Sequence, residues 1–216
     1  MDADFWHTKW EKNDIAFHEG KANTMLVKHF EALDLSVGSR IFVPLCGKTV
    51  DIHWLLSQGY NVVGVEINEM AIQQLFDDLQ LTPQISDVPD LKHYSAKDID
   101  IFVGDVFKLT PQLLAKVDGI YDRASLVALP EETREQYAIH LIHITQAAPQ
   151  LLISFDYDQS LLNGPPFSIT ETEIQSHYKK HYNIKLVDKV VTPYKLKDQF
   201  AVDECVRILT KIGTKD

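Results

Sequence analysis

The apolar run "YNVVGVEI" (60–67) ends on a carboxylate, Glu66, 19 residues beyond Gly47 in the stretch "FVPLCGKT" (42–49). Gly-Lys-Thr closes the phosphate-gripping loop of nucleotide triphosphatases, but that GxxxxGK[ST] pattern needs a glycine where Phe42 stands. The dinucleotide fingerprint GxGxxG fails too, because "PLCGKT" offers one glycine and puts Leu45 where backbone would have to approach a pyrophosphate. Phosphate ligands are therefore disfavoured. A carboxylate at the end of a second strand can still accept both hydroxyls of a ribose, whether in NAD or in S-adenosylmethionine. The sulfonium cofactor has ribose and adenine without phosphate, so it needs the carboxylate but no glycine cradle, and the pair of observations favours it. Asp105, at the end of "IFVGD", occupies the carboxyl end of a third strand, where a group contacting adenine is expected. A solvated strand-end carboxylate is the competing reading for both residues.

Other chemistries find less support. Cys46 and Cys205 lie far apart and form no CxxC pair, so neither a disulfide framework nor a zinc site is indicated. Cys46 reads as a small buried filler, with no base in view to activate it. His140 with His143, and His177 with His181, have helical spacing but lack a third ligand, which points to surface histidines. Asp156 and Asp158 in "SFDYD" give only a weak hint of an acidic metal site, and no metal is expected. No Asn/Asp-Pro-Pro-Tyr follows the fourth strand, so the carbonyl clamp for methylating exocyclic amines is missing. Lys48 reads as a helix-start surface residue.

These residues must be positioned by one chain of 216 residues, 45% apolar, with a formal net charge of −10. That size and apolar content fit a single domain, 1–216. The acidic balance argues against nucleic-acid binding, where affinity comes from Lys and Arg on phosphates. The start "MDADFWHTKW" is acidic where a signal peptide is basic, and no apolar run approaches the roughly 18 residues of a membrane span. A cytoplasmic protein with no membrane partner is expected, and a monomer, since no exposed apolar stripe suggests an interface.

Hydrophobic period gives the order of elements. Strand "RIFVPL" (40–45) leads through a turn to the helix of "KTVDIHWLLSQG", stopped by Gly59. Strand 60–67 leads to the helix of "NEMAIQQLFDDLQ", with Asn68 as its N-cap. Alternation of this kind implies a parallel sheet with right-handed crossovers. Residues 81–98 carry turn formers and little periodicity and read as a loop-rich insertion. "IDIFVGDVF" (99–107), "VDGIYDRA" (117–124) and "QLLISFDYD" (150–158) are further strands. "PEETREQYAIHLIHITQAA" is a helix of about five turns opening on Pro130. Thr170 and Glu173 spell a capping box. "IKLVDKVV" and "DECVRILTK" are two strands with no helix between them, an antiparallel end to the sheet. Residues 1–35, helical and aromatic, read as a lid on a core of 36–216.

Four motifs in order, "WHTKWEKNDIAFHEG", "FVPLCGKTVDIHWLLSQGYNVVGVEI", "YDRASLVALP" and "GPPF", resemble the thiopurine S-methyltransferase family over nearly the whole chain. The resemblance implies an α/β class I methyltransferase fold, Rossmann-like, with a seven-stranded mostly parallel sheet under an N-terminal lid. It implies S-adenosyl-L-methionine as cofactor and S-adenosyl-L-homocysteine as product. It matches Trp10, Leu45, Glu66, Asp105, Val106 and Arg123 to cofactor contacts, with Arg123 also near the acceptor as the catalytic cation. Trp6, Phe17, Pro166 and Phe167 match the acceptor side. Vertebrate members carry an arginine before the last strand that helps hold the acceptor; here that stretch has Lys195 and Lys197. The acceptor it implies is a thiopurine or other small thiol, with oxyanions of selenium or tellurium (metalloid detoxification) as the alternative. An NAD-dependent oxidoreductase and a non-catalytic adapter on the same fold are the rival readings.

Methyl transfer from a sulfonium is an in-line displacement that chiefly needs two partners held close and aligned. An already anionic sulfur needs no base, only a nearby cation and a dry aromatic pocket. Arg123 and the cluster Trp6, Trp10 and Phe17 offer those features.

Overall fold

The computed structural model describes residues 3–192, 196 and 199–213; Lys195 and Lys197 lie outside them. The chain divides into two compact units, 1–120 and 121–216.

The first unit opens with α1 (Ala3–Glu11) and α2 (Thr24–His29). It continues with β1 (Arg40–Pro44), α3 (Val50–Ser57), β2 (Asn61–Glu66) and α4 (Glu69–Asp78). β1 and β2 are buried along nearly their whole length, as expected of strands covered on both faces. They run parallel in the register Arg40↔Asn61 to Pro44↔Val65. Each crossover helix starts on a side-chain cap: Thr49 Oγ1 accepts from Asp51 N (3.3 Å), and Asn68 Oδ1 accepts from Ala71 N (3.1 Å). Gly59, at φ +82°, ends the first of these helices as expected.

β5 (Ile99–Val103) runs parallel to β2, with Glu66 opposite Val103. The carboxyl ends of β1, β2 and β5 thus lie side by side, and the turns that leave them gather in one place. This level is where open α/β sheets hold ligands.

Residues 81–98 differ from the loop expected of them. They form a hairpin, β3 (Gln84–Val88) and β4 (Leu91–Ala96), that pairs antiparallel onto β5. β3 is an exposed edge with no buried residue, so it carries no apolar alternation to read. β4 buries only Leu91 and Tyr94. The usable signal was the two-residue turn Pro89-Asp90, with Asp90 at φ +62°.

α5 (Pro111–Leu114) leads into β6 (Gly119–Arg123), whose first two residues belong to the first unit and pair with β1 as Ile41↔Gly119 and Phe42↔Ile120. In the second unit follow α6 (Glu131–Thr145), β7 (Gln150–Asp156), α7 (Glu171–Tyr178), β8 (Tyr182–Val191) and β9 (Asp203–Lys211). The strand order there is β6-β7-β9-β8. β9 is antiparallel to both β7 and β8, as the missing helix between the last two strands implied. The seven strands expected are all present, and the β3–β4 hairpin adds two at the β5 edge.

Candidate functional site: a carboxylate under an aromatic lid

The turn after β1 is left-handed twice, at Leu45 (φ +44°) and at Gly47 (φ +50°). This double reversal turns the Gly47 N–H back toward the end of β2, where it donates to Glu66 Oε2 at 2.8 Å. The other oxygen, Oε1, accepts from the N–H of Asn68 at 2.9 Å. Glu66 is buried, and burial pushes its carboxyl up from the ordinary range while the N–H groups of Asn68, Gly47 and Ile67 oppose that rise. A carboxylate offers about four acceptor sites, so the group as a whole keeps capacity for a hydroxyl donor.

Gly47 lies against the lid. A Cβ there would come within 3.1 Å of Cζ2 of Trp10, a ring only 5% exposed. Trp10 packs edge-on against Phe17 (centroids 5.7 Å apart), Phe17 against Trp6 (5.7 Å) and Trp6 against Phe5 (5.1 Å). The three lid aromatics read from the sequence therefore form one cluster, and its Trp10 end covers the turn that holds Glu66.

Asp105 follows β5 and caps the short 3₁₀ turn Val106–Lys108 by accepting from Phe107 N at 3.0 Å. Val106, the first residue of that turn, is buried. Gly104 N donates to the carbonyl of Glu66 at 2.8 Å, tying this turn to the end of β2. Lys48 reaches Asp78 at 4.0 Å. The Cys46 thiol is buried, and burial and then Glu66 push it well above the ordinary thiol range, which keeps it protonated.

In the second unit Arg123 ends β6, half-buried, and Ala124 follows at φ +66°. The preceding Asp122 is fully buried; it accepts from Tyr137 Oη at 2.7 Å and from Leu126 N at 3.4 Å. Burial raises its carboxyl to about 6, against the lowering effect of hydrogen bonds from Tyr137 and Ser125. Asp122 thus fastens the turn that leaves Arg123 at the strand end.

The "GPPF" loop has two cis peptide bonds, Gly164-Pro165 and Pro165-Pro166. Phe167 N donates to the Val127 carbonyl at 2.6 Å, which joins this loop to the segment that follows Arg123. Tyr157 Oη donates to the Pro166 carbonyl at 2.6 Å. The Phe167 ring lies against Gly164, where a Cβ would be 2.5 Å away, and its face meets the Arg134 guanidinium at 5.5 Å. Arg134 forks onto Glu173 and also donates to the Leu129 carbonyl. Thr170 Oγ1 caps α7 by accepting from Glu173 N at 3.2 Å, but the Glu173 carboxylate serves Arg134 and His177, so the reciprocal half of the expected capping box gives way to an ion pair.

Asp156 pairs with Lys189 at 2.9 Å, and Asp158 caps the turn at Ser160. Among the described residues no group of three or more His, Cys, Asp or Glu side chains could hold a metal, and no helix is long and apolar enough to cross a membrane. His7, Tyr137 and Arg134 were not singled out from the sequence. The one available signal was the placement of His7 three residues before Trp10, on the same side of α1.

This strand-turn-helix repeat, with an acidic residue, a glycine turn and a covering aromatic at the carboxyl ends, has the fold of class I methyltransferases. A solved structure of the same fold is the 1,6-didemethyltoxoflavin-N1-methyltransferase of Burkholderia thailandensis, with S-adenosylhomocysteine bound, at TM-score 0.69 and 14% identity, covering 98% of this chain and 87% of that one. The family model for Thiopurine S-methyltransferase (TPMT) matches residues 1–211. The thiopurine S-methyltransferase of Xanthobacter autotrophicus is 47% identical over 98% of this chain and 100% of its own length. That of Gluconobacter oxydans is 48% identical over 94% of this chain and 93% of its own. The chain belongs to the thiopurine S-methyltransferase family, an S-adenosylmethionine-dependent enzyme family.

Proposed function

We propose that this enzyme transfers the methyl group of S-adenosyl-L-methionine to the sulfur of a thiopurine or another small thiol, leaving S-adenosyl-L-homocysteine. The observation that carries the cofactor half is the buried Glu66 carboxylate, held by Gly47 N–H on one oxygen and Asn68 N–H on the other. The carboxylate as a whole keeps acceptor capacity for a ribose hydroxyl, and the single-glycine turn beside it suits a cofactor without phosphate. When bound, the cofactor supplies an electrophilic methyl on a sulfonium.

The remaining work falls to side chains of this chain. Glu66 accepts the ribose hydroxyls. Asp105 and Val106 flank the adenine, and Leu45 contributes backbone at the first turn. Trp10 closes over the cofactor and keeps water from it, while Trp6, Phe17, Pro166 and Phe167 take the acceptor ring. Arg123 is the cation that favours the thiolate form of the acceptor, so the acceptor's proton leaves to solvent without a dedicated base. Phe167 also braces its own loop through Arg134. Alignment of thiolate and methyl accounts for the rate, a term worth roughly 7 to 11 kcal/mol in ideal systems. The acceptor is a small molecule, and a monomeric cytoplasmic protein is the working assignment.

A labelled-methyl assay over thiopurines, aryl thiols, selenite and tellurite, run beside calorimetry with S-adenosylhomocysteine, tests the proposal. Methylation of the sulfur acceptors, with binding lost in Glu66→Ala, is expected. Unchanged cofactor affinity in that variant would remove Glu66 from the site, and transfer to the metalloid oxyanions alone would overturn the acceptor class.

A further inference from the structure

His7 stands three residues before Trp10 on α1, and its Nδ1 lies 3.0 Å from Nδ2 of Asn68. The orientation of the Asn68 amide is fixed by its other end. Its Oδ1 accepts from Ala71 N as the cap of α4, so the group facing His7 is the NH₂. A donor faces Nδ1, so Nδ1 must accept, and the imidazole that fits is the neutral tautomer with its proton on Nε2.

The two lid contacts converge on one carboxylate. Asn68 gives its own backbone N–H to Glu66 Oε1, and Gly47 gives its N–H to Oε2. His7 touches the side chain of Asn68, and the Trp10 ring lies against Gly47. α1 thus meets both residues that hold Glu66.

We propose that His7 is a positioning residue of the cofactor site: by accepting from the Asn68 amide it sets the register of α1, so that Trp10 stays over Gly47 beside Glu66. This rests on the reading of Glu66 as the ribose ligand. The pairing joins two side chains of the protein, so its loss can be read without the cofactor. A rival cause is simple attraction between a charged side chain at position 7 and the Glu66 carboxylate, and the two make opposite demands of a lysine there.

The test compares His7→Ala, His7→Asn and His7→Lys in two measurements. One is cleavage after Glu11 by a glutamate-specific protease in the cofactor-free protein. The other is the calorimetric affinity for S-adenosylhomocysteine. Asn carries an acceptor oxygen where the imidazole has Nδ1 and has similar helix propensity, whereas Lys only donates. Loss of one hydrogen bond to the lid predicts affinity about tenfold weaker in His7→Ala and faster cleavage, with both restored in His7→Asn and neither in His7→Lys. Wild-type affinity and cleavage in His7→Ala, or recovery in His7→Lys, would overturn the proposal. If Glu66→Ala keeps full affinity, the cofactor reading fails instead, and the cleavage pattern of the three variants still reports on the lid.

Discussion

The Gly47 N–H meets Glu66 Oε2 at 2.8 Å, joining the turn after β1 to the last residue of β2 across 19 positions of chain. Two conditions make that bond possible: a residue at 47 that tolerates φ +50°, and no side chain between the turn and Trp10. Gly47→Ala breaks both, because alanine is strained in the left-handed region and its Cβ would lie 3.1 Å from the indole. The variant is expected to lose about 1–2 kcal/mol of stability. Trp10 should move toward water. Urea unfolding reads the first effect and a red shift of tryptophan emission the second; an unshifted spectrum would mean that the ring does not rest on this turn.

Arg123 is expected to matter to turnover and not to folding. It is half-buried at the end of β6, whereas the buried partner that shapes its turn is Asp122. Arg123→Ala should unfold within about 1 kcal/mol of wild type, in line with substitutions outside a core, yet lose at least tenfold in kcat/KM for a thiol acceptor. The loss should be smallest for the most acidic thiols, which are anionic without help. A uniform effect across thiols of different acidity would count against a charge role.

Asp122 gives a pH signature of opposite sign to the usual carboxylate. Its native carboxyl sits at about 6, above the unfolded value of ~3.9, so the native state binds more protons between those limits. Its contribution to stability therefore rises as pH falls from 7 to 4, by up to about 3 kcal/mol. Glu66 shifts in the same direction, while Glu69, Asp118, Glu171 and Glu173 are lowered and lose their stabilisation on acidification. Those groups are common to wild type and Asp122→Asn, so the difference between the two isolates Asp122. Urea unfolding at pH 7, 6, 5 and 4 should show wild type gaining on the variant at each step, and a constant difference would refute the assignment.

What the sequence made legible follows from where the information is stored. Buried parallel strands such as "RIFVP" and "NVVGVE" are dense in β-branched residues, and caps such as Asn68 declare themselves by type, so β1, β2, α3 and α4 could be read directly. The β3–β4 hairpin could not, because an exposed edge strand has no apolar face to set a period. At the site, Glu66 was visible through its distance from Gly47. His7 and Arg134 were hidden, because their roles come from partners 61 and 39 residues away that no local pattern pairs.

Arg134 shows what such a hidden pair holds in place. It is nearly dry, with a side chain 6% exposed, and Glu173 is 18% exposed, so the fork between them lies largely out of water and orients the face that Phe167 rests on. Removing one member of a buried pair strands the other charge, typically at a cost of 3–5 kcal/mol, whereas replacing both by apolar groups of similar volume is often close to neutral. Arg134→Met is therefore expected to destabilise by about 3 kcal/mol, and Arg134→Met with Glu173→Leu by much less than the two single losses combined. His177 still faces Glu173 in the single variant and will take up part of the deficit. If Phe167 serves the acceptor, the double variant, though stable, should raise KM for the thiol and leave the affinity for S-adenosylhomocysteine unchanged, because only the ring's support has been altered. Additive stability losses in the cycle would show that the fork is not a coupled unit, and an unchanged KM would separate Phe167 from acceptor binding.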